Sequence, residues 1–281
     1  MKRSRKWRIV AGSVAVNVQI IALLLLFLLP ILWLVSASFK SVDEMFSADL
    51  HFIPRALTLD NYIRIWNVIP YAAYLKNSLI IAAYTSIVTL IFSSLAAYSF
   101  SRFKYRGRKF IKGFMLAGQM FPAILLIIPM FIYVNELGLL GKYTAVVLAY
   151  QTFLLPFCSW ALTNFFNRIP VELDEAAIID GCSRLQVMYK IILPVAVPGL
   201  ISIATYSFLG SWNEFIYTVT LMQNNYRWTV PVGLNALSNQ YGVDWGLLTA
   251  GGVMCLVPAV IVMLFLQKFL IQGHLEGSIK G

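Results

Sequence analysis

The sequence is poor in charge and in the residue types that build catalytic or metal sites. Only 12% of its 281 residues are charged, and 12 Asp and Glu stand against 22 Lys and Arg. A soluble domain has about 25% charged residues, so the composition argues against a soluble protein. The two histidines, His51 and His274, are far apart, and the three cysteines have no paired spacing. We therefore predict neither a metal site nor a disulfide framework.

The sequence also lacks the motifs of nucleotide-binding and hydrolytic enzymes. A Gly-Lys pair occurs at residues 141–142, but Glu136 stands where a phosphate loop requires glycine, and Tyr143 where it requires Ser or Thr. No Gly-x-Ser-x-Gly elbow is present. We therefore predict no catalytic residue and no cofactor in this chain, which is expected not to be an enzyme.

Long apolar runs dominate what is present, because hydrophobic residues make up 59% of the sequence. A helix that crosses a hydrocarbon core of about 30 Å needs about 20 apolar residues. Six runs are long enough, at residues 14–38, 77–101, 111–133, 144–166, 195–222 and 246–270. The first run is longer than a signal-peptide core of about 7–15 residues, so we expect a retained span. We predict an all-α membrane protein with six transmembrane helices in a single domain, residues 1–281, with the third helix bent by Pro122 and Pro129.

The distribution of Lys and Arg predicts the orientation of these helices. If the N-terminus is cytoplasmic, sixteen of the 22 basic residues lie on the cytoplasmic side and six outside. Both termini and residues 168–194 are then cytoplasmic, and residues 39–76 and 223–245 form external loops. The net charge of +10 is explained by topology and anionic lipid headgroups. We predict no nucleic-acid partner, because no soluble domain remains to hold a duplex.

Residues 168–194, which we call the corner segment, form a polar stretch between two apolar runs. Pro170 suits the first turn of a helix, and Gly181 can adopt the left-handed conformation that ends one. Acidic residues in that first turn complement the positive end of the helix; they are Glu172, Asp174 and Glu175. The predicted helix has about ten residues, whereas isolated helices need about 12–15 to be stable in water. It should therefore need a partner surface.

A second helix is predicted to follow this glycine corner. Ser183 and Gln186 have the spacing of a capping box, which starts a helix that continues toward Pro194. The corner segment as a whole reads Glu175-Ala176-Ala177, then Gly181 after three residues, then Ile191 after nine, and Leu193-Pro194 after one more. This spacing resembles the signature loop of the membrane permease subunits of binding-protein-dependent ABC importers. The loop also follows the fourth apolar run, as it does in that family.

The resemblance implies the fold of a type I importer permease, in which the first short helix is the coupling helix, seated in a cleft of a cytoplasmic ATPase. Ala176 and Ala177 have little bulk and would allow a partner to approach the backbone, and Glu175 offers a charge to pair. The residues expected to couple to the ATPase are Glu172, Asp174, Glu175, Ala176, Ala177, Asp180, Gly181 and Arg184.

The first external segment contains Phe52-Ile53-Pro54 and then Leu57-Thr58-Leu59, and the tail ends in Lys280-Gly281. These features resemble the carbohydrate type of the same family, in particular the smaller maltose-type permeases. It implies a second homologous permease subunit, two copies of an ATPase that bind ATP and magnesium, and an extracytoplasmic solute-binding protein. The implied substrate is a sugar or oligosaccharide, and the implied location is the bacterial cytoplasmic membrane.

Polar residues within the apolar runs are candidates for the substrate path. Glu214 is the only acidic residue in the six runs. An ionisable residue within the membrane needs a partner that offsets the cost of burying its charge. Asn213 and Tyr217 are four residues apart and would share a helix face with Gly210, which would offer hydrogen bonds and an aromatic plate to a sugar. The full set of candidates is Gln119, Tyr150, Gln151, Asn213, Glu214 and Tyr217. Polar packing between helices is an alternative role, and for Glu214 structural pairing is favoured.

Two other functions remain open at this stage. A secondary transporter would use intramembrane charges and would usually show internal repeats, but only Glu214 qualifies and the two halves show no clear repeat. An importer permease for another solute, such as a polyamine or phosphate, is the nearer alternative. Because the apolar runs contain essentially no Lys or Arg to hold an anion, a neutral sugar fits better, without excluding an acidic sugar.

Overall fold

The computed structural model describes residues 2–47, 49, 51–239 and 242–278, with side chains except at 2–15, 239 and 267–278. The chain divides into two compact units, Met1–Ile69 with Leu237–Cys255, and Pro70–Ala236 with Leu256–Gly281. We refer to these as the first and second unit. The single permease domain expected over residues 1–281 stays a prediction.

Helices make up most of the described chain. In chain order they are α1 (Lys2–Ser38), α2 (Val42–Met45), α3 (Asp60–Val68), α4 (Tyr71–Arg102), α5 (Arg108–Gly118), α6 (Ile127–Glu136), α7 (Tyr143–Phe166), α8 (Glu172–Ile179), α9 (Arg184–Val187), α10 (Leu193–Val195), α11 (Val197–Trp212), α12 (Ile216–Leu221), α13 (Val230–Asn235) and α14 (Trp245–Ser278). Ala123–Leu126 and Asn225–Arg227 are 3-10 turns, and Met188–Ile192 is π-helical. The short strands β1 (Ser238–Asn239) and β2 (Gly242–Val243) pair antiparallel, with Ser238 opposite Val243.

Among the residues that the structure describes, four helices are long and apolar enough to cross a membrane by themselves: Val16–Ser38, Tyr71–Arg102, Tyr143–Phe166 and Trp245–Leu266. They correspond to the first, second, fourth and sixth predicted runs. The third and fifth runs form bent pairs of helices, which bring the number of spans to six if each pair counts as one. The helical membrane fold predicted from the sequence is therefore confirmed.

The third predicted run is broken rather than merely bent. Arg108–Gly118 and Ala123–Glu136 meet at an angle of 96°. Pro122 is extended, with φ −58° and ψ 125°, and a proline also disfavours helical backbone in the residue before it. Pro129 lies in the first turn of α6 and does not interrupt that helix. Pro122 thus marks the break, and the expectation of a bend at Pro129 was wrong.

The fifth predicted run is not one continuous helix either. Arg184–Val195 and Val197–Trp212 meet at 81°, and Pro198, the second residue of α11, suits a helix start. At the other end α11 stops at Trp212, and α12 begins only at Ile216. The run predicted over residues 195–222 therefore begins within two residues of α11, but its later part forms a separate helix, so one helix over the whole run was wrong.

In the second unit, α4 packs lengthwise against α7 and α11. One buried apolar cluster lies where α4 and α7 end, beside the corner segment, and includes Ala97, Cys158, Phe166 and Val187. Another lies where α7 begins and includes Ile81, Val146 and Tyr217 with α12. These two clusters fix the two ends of α4 within the unit.

The segments predicted as external loops contain regular structure. Residues 39–76 include α2 and α3, and residues 223–245 include α13 and the two strands. Asn61, at the start of α3, is buried, and its Nδ2 donates to the carbonyl oxygens of Ser38 and Lys40 at 3.1 and 2.9 Å. A Cβ at Gly246 would lie 2.4 Å from Asn61 Oδ1, so only glycine allows this approach.

Candidate functional site

The first helix of the corner segment forms as its residues predict. Glu172, Asp174 and Glu175 occupy the first turn of α8, where negative charge is favourable. Pro170 lies two residues before this helix rather than in its first turn. The helix has 8 residues, so packing rather than intrinsic propensity must stabilise it.

Gly181 ends α8 in the way predicted. Its φ is +87°, in the left-handed region that favours glycine. The Gly181 N–H donates to the Ile178 carbonyl at 3.0 Å, and the Cys182 N–H donates to the Ala177 carbonyl at 2.9 Å. This pair of bonds is the Schellman motif, which satisfies the last carbonyl groups of the helix. The turn is therefore fixed by local sequence.

The second helix also starts as predicted. The Ser183 side chain accepts from the Gln186 N–H, and the Gln186 side chain accepts from the Ser183 N–H, at 3.4 and 2.7 Å. The capping box is confirmed. From α9 the chain stays helical through a π-helical turn, Met188–Ile192, into α10. Two short helices thus meet at the Gly181 turn.

The two sides of α8 have different environments. Asp174 and Ala177 are buried, whereas Glu172, Glu175 and Ala176 are exposed and Ile179 is 85% exposed. The exposed side therefore combines two carboxylates, a small residue that leaves the backbone accessible, and a large apolar side chain. Such a mixed surface is suited to a protein partner with a matching apolar and basic groove.

Two of the residues expected at the partner surface point into this chain instead. Ala177 belongs to the buried cluster with Phe166 and Val187, so its small size allows α8 to approach its own bundle. Asp174 is 1% exposed and forms an ion pair with Arg102 at 2.9 Å. The expectation that Ala177 leaves space for a partner was therefore wrong, and Asp174 acts within the chain.

The remaining corner residues of the predicted set are at the surface. Asp180 and Gly181 are exposed at the turn, and Arg184 is exposed at the start of α9. The Arg184 guanidinium lies over the Phe103 ring, 5.8 Å from its centroid. Contact between any of these residues and an ATPase stays a prediction.

Four of the six substrate-path candidates come together around Phe153 on α7. The Tyr150 and Thr218 hydroxyl groups are 2.6 Å apart, and the Glu214 carboxylate lies beside the Tyr150 hydroxyl. The Phe153 ring stacks on the Tyr217 ring at 6.3 Å, and Gln119 Nε2 donates to the Phe153 carbonyl at 2.8 Å. We call Tyr150, Phe153, Glu214, Tyr217 and Thr218 the Tyr150 cluster.

The other two candidates make contacts elsewhere. Gln151 accepts at Oε1 from the Thr89 hydroxyl on α4, at 3.0 Å. Asn213 is exposed and donates at 2.9 Å to the carbonyl of Leu209 in its own helix. The contacts of Gln151 are those of polar packing between helices. The Asn213 side chain caps the C-terminal end of α11 by its bond to the Leu209 carbonyl.

The shared helix face predicted for Asn213 and Tyr217 does not exist, because α11 and α12 are separate helices. The Glu214 carboxylate accepts from the backbone N–H groups of Tyr217 and Thr218, at 2.9 and 3.3 Å. It therefore satisfies free N–H groups at the start of α12, as a capping residue does. Gly210 is equally unavailable for that face, since a Cβ there would lie 2.9 Å from Leu154.

Sequence reasoning missed several residues that position these groups. Arg102 was counted only among the basic residues that set the topology, although it binds Asp174. Thr218 and Phe153 looked like ordinary span residues. Asn77 was taken as the start of a span, yet its Nδ2 donates to the carbonyls of Tyr226 and Trp228 at 2.8 and 2.9 Å. Only an Arg or Asn in an otherwise apolar segment could have signalled such a role.

The sequence matches one family model over residues 89–273, described as the inner membrane component of binding-protein-dependent transport systems. Over 257 residues it is 36% identical to the trehalose/maltose transport system permease protein of Thermococcus litoralis, covering 90% of this chain and 92% of that protein. Over 254 residues it is 31% identical to the sulfoquinovosyl glycerol transport system permease protein of Agrobacterium fabrum, covering 90% and 89%.

The fold is also similar to that of a solved structure. A chain in the crystal structure of a bacterial ABC transporter involved in the import of the acidic polysaccharide alginate superposes with a TM-score of 0.79. The match covers 93% of this chain and 96% of that chain, at 24% sequence identity. This likeness concerns the fold.

Proposed function

The chain belongs to the family of inner membrane components of binding-protein-dependent transport systems, and we propose that it is the permease subunit of an ATP-driven importer for a sugar or oligosaccharide. In this role it forms half of a transport path with a second, homologous permease. An extracytoplasmic binding protein delivers the solute, and two partner ATPases, which bind ATP and magnesium, drive the cycle. The chain itself has a transport role and no enzymatic one.

The two-sided character of α8 is the observation that carries the proposal. One side of the helix is fixed to the bundle through Asp174 and Ala177, and the other exposes Glu175, Ala176 and Ile179. A helix that is too short to be stable alone but is held firmly from behind can transmit force from a partner on its free side. We infer that this partner is the ATPase.

The distribution of basic residues supports the orientation that this function requires. Sixteen of 22 Lys and Arg fall on the side of the corner segment, with both termini. The corner segment would then face the cytoplasm, where ATP is available. Cysteine placed at Ala176 should react with an impermeant maleimide only after the cell is opened, and cysteine at Leu57 should react in intact cells lacking an outer barrier. The reverse pattern would overturn the orientation.

A sugar substrate is supported by the relatives and by the chemistry near the path. One relative is named for trehalose and maltose, which are neutral sugars. The other is named for sulfoquinovosyl glycerol, which is acidic. In this chain the Tyr150 cluster combines aromatic rings with hydroxyl groups, which suits the apolar faces and hydroxyl edges of a sugar ring. Tyr150 and Tyr217 are buried, so they would form the wall behind the path, with Gln119 and Asn213 exposed at its surface.

Reconstitution tests the proposal. The chain is assembled with the second permease, the ATPase and the binding protein of the same organism. Uptake is measured into proteoliposomes that enclose ATP, with the ATPases facing the lumen and the binding protein outside. The labelled solutes are maltose, trehalose, sulfoquinovosyl glycerol, an alginate oligosaccharide, spermidine and inorganic phosphate. We expect uptake of a sugar that requires ATP and the binding protein.

Each alternative gives its own result. Uptake of spermidine or phosphate in place of every sugar would overturn the substrate class. Sugar uptake without ATP, driven by an ion gradient, would overturn the importer class. A variant with Glu175→Lys and Ile179→Asp should lose ATP-driven uptake but still insert, because it changes only the exposed side of α8.

A further inference from the structure

Arg102, the last residue of α4, makes three hydrogen bonds to the chain around α8. Its Nε donates to Asp174 Oδ2 at 2.9 Å, and the two side chains are 3% and 1% exposed. Its Nη1 and Nη2 donate to the carbonyl oxygens of Phe166 and Ile169, both at 3.1 Å. The planar guanidinium is the side chain that can bind three such acceptors at once. It joins the end of α7, the following turn and α8 to α4.

Asp174 depends on this arginine. Its second oxygen, Oδ1, is buried without a hydrogen-bond partner within the described part of the chain. Removal of Arg102 would therefore leave a buried carboxylate with neither its ion pair nor its bond at Oδ2. Such an uncompensated charge is costly, and the helix that carries it would be driven toward water.

The last turns of α4 also hold the second helix of the corner segment. The Tyr98 hydroxyl donates to the carbonyl of Arg184 at 3.2 Å, at the start of α9. Ala97 and Tyr98 share a buried cluster with Ala177 and Val187, one residue from each corner helix. Both helices of the corner segment therefore rest on the same end of α4.

The opposite end of α4 holds a different segment, which begins after α12. Asn77 Nδ2 donates to the carbonyls of Tyr226 and Trp228, and Ser78 Oγ accepts from the Val230 N–H at 2.9 Å. Between these two ends α4 has 32 residues and contains neither proline nor glycine. At 1.5 Å per residue it is about 48 Å long. The helix therefore lacks proline and glycine, two of the usual causes of kinks.

We propose that Arg102 is a positioning residue that makes α8 and α4 move as one body, so that a displacement of α8 reaches the residues 226–230 held by Asn77 and Ser78. The inference rests on the proposed function, because docking to an ATPase is what displaces α8. Two sites can be coupled through a contiguous, stiff element that both of them contact. In this chain α4 is that element, and Arg102 forms its polar link to α8.

The first experiment measures the link without any transport. Hydrogen exchange is recorded on the chain in lipid nanodiscs, comparing Arg102→Met with the wild type. We expect the amides of residues 172–180 to exchange faster by at least about tenfold, since the variant strands the Asp174 charge. Arg106→Met is the matched control, because Arg106 is exposed on the loop that follows α4 and the chemical change is the same. Unchanged exchange in Arg102→Met would overturn the proposal.

The second experiment measures coupling in the reconstituted complex. The readout is sugar molecules imported per ATP hydrolysed, with loaded binding protein. We expect Arg102→Met to assemble normally but to lower this ratio by about tenfold. Arg102→Lys keeps the charge but not the fork of donors, and should give an intermediate ratio. Asp174→Asn should act in the same direction and add little to Arg102→Met, because both remove one interaction.

The outcomes separate a positioning role from a structural one. If Arg102→Met does not assemble, the double variant Arg102→Met/Asp174→Asn, which carries no buried charge, replaces it. Assembly of the double variant with a lowered ratio supports the proposal; a wild-type ratio overturns it. Failure of both variants to assemble also overturns it, because the pair would then serve folding alone. A wild-type complex that hydrolyses ATP but imports no sugar would contradict the proposed substrate. The hydrogen-exchange experiment would still test whether Arg102 connects α4 to α8, because it does not depend on transport.

Discussion

Replacement of Gly181 by valine tests the corner segment most directly. Gly181 has a φ of +87°, where an L-residue costs about 1–2 kcal/mol and a β-branched side chain more. A Cβ at this position would meet nothing within 4 Å. The cost is therefore backbone strain alone, with no clash that a neighbour could relieve.

The magnitude follows from the two hydrogen bonds that depend on this turn. They join the Gly181 N–H to Ile178 and the Cys182 N–H to Ala177, at 3.0 and 2.9 Å. If the valine backbone leaves the left-handed region, both bonds are lost, at about 0.5–1.5 kcal/mol each. The cost is therefore about 1–2 kcal/mol or more if the turn stays left-handed, and roughly 1–3 kcal/mol if it does not. Either cost is large compared with the stability of an 8-residue helix, so α8 should lose its fixed direction.

Gly107→Val provides a matched control. Gly107 has a φ of +86° and equally open space at its Cβ position, but it lies in the loop before α5. ATP-driven uptake by the reconstituted complex is measured for both variants, together with the yield of assembled complex. We expect Gly181→Val to assemble and to lose most of its uptake, and Gly107→Val to retain it. Equal losses in the two variants, or full uptake in Gly181→Val, would refute the reasoning.

Three further changes test the interior of the second unit. Tyr217→Phe removes a buried hydroxyl that has no hydrogen-bond partner within the described residues, so the unfolding temperature should not fall, whereas sugar uptake should fall if the hydroxyl serves the substrate path. Asn77→Ala removes three hydrogen bonds of 2.6 to 2.9 Å, and should cost about 2–4 kcal/mol and speed hydrogen exchange in residues 225–230; Asn67→Ala, at an exposed site, is the control and should leave that exchange unchanged. Gly233→Ala places a Cβ 2.1 Å from the buried Tyr74 ring, and should destabilise the fold by an overpacking cost of about 1–3 kcal/mol, seen as a lower midpoint of thermal unfolding; Gly113→Ala, at an open helical position, is the control.

The corner segment could be predicted in detail because its structure is set by local chemistry. The turn at Gly181 and the capping box of Ser183 and Gln186 each involve residues within a few positions of each other. Four of the apolar runs were predicted with their ends within six residues, because length and hydropathy largely decide whether a helix can cross the membrane.

Proline predicted an interruption of the third run at Pro122, but hydropathy does not report continuity and could not place the end of α11 within the fifth run. Residues 195–222 are apolar enough on average to be read as one span, yet the Glu214 carboxylate binds two backbone N–H groups at the start of a new helix. The same limit applies to Arg102 and Asp174, which are 72 positions apart in sequence. A single sequence does not indicate that Arg102, one of several basic residues used to predict the orientation, has a buried partner.

The break at residues 119–122 has a consequence for the life of the newly made subunit. Met120 and Phe121 are 84% and 64% exposed there, and the backbone is irregular. The N–H groups of residues 119–121 are hydrogen-bonded within this turn, but non-helical backbone at membrane depth is tolerated only where protein or a water-filled cavity surrounds it. A copy made in excess of its assembly partners should therefore be recognised by membrane quality-control proteases, so that the amount of this subunit in the cell follows the amount of the complex.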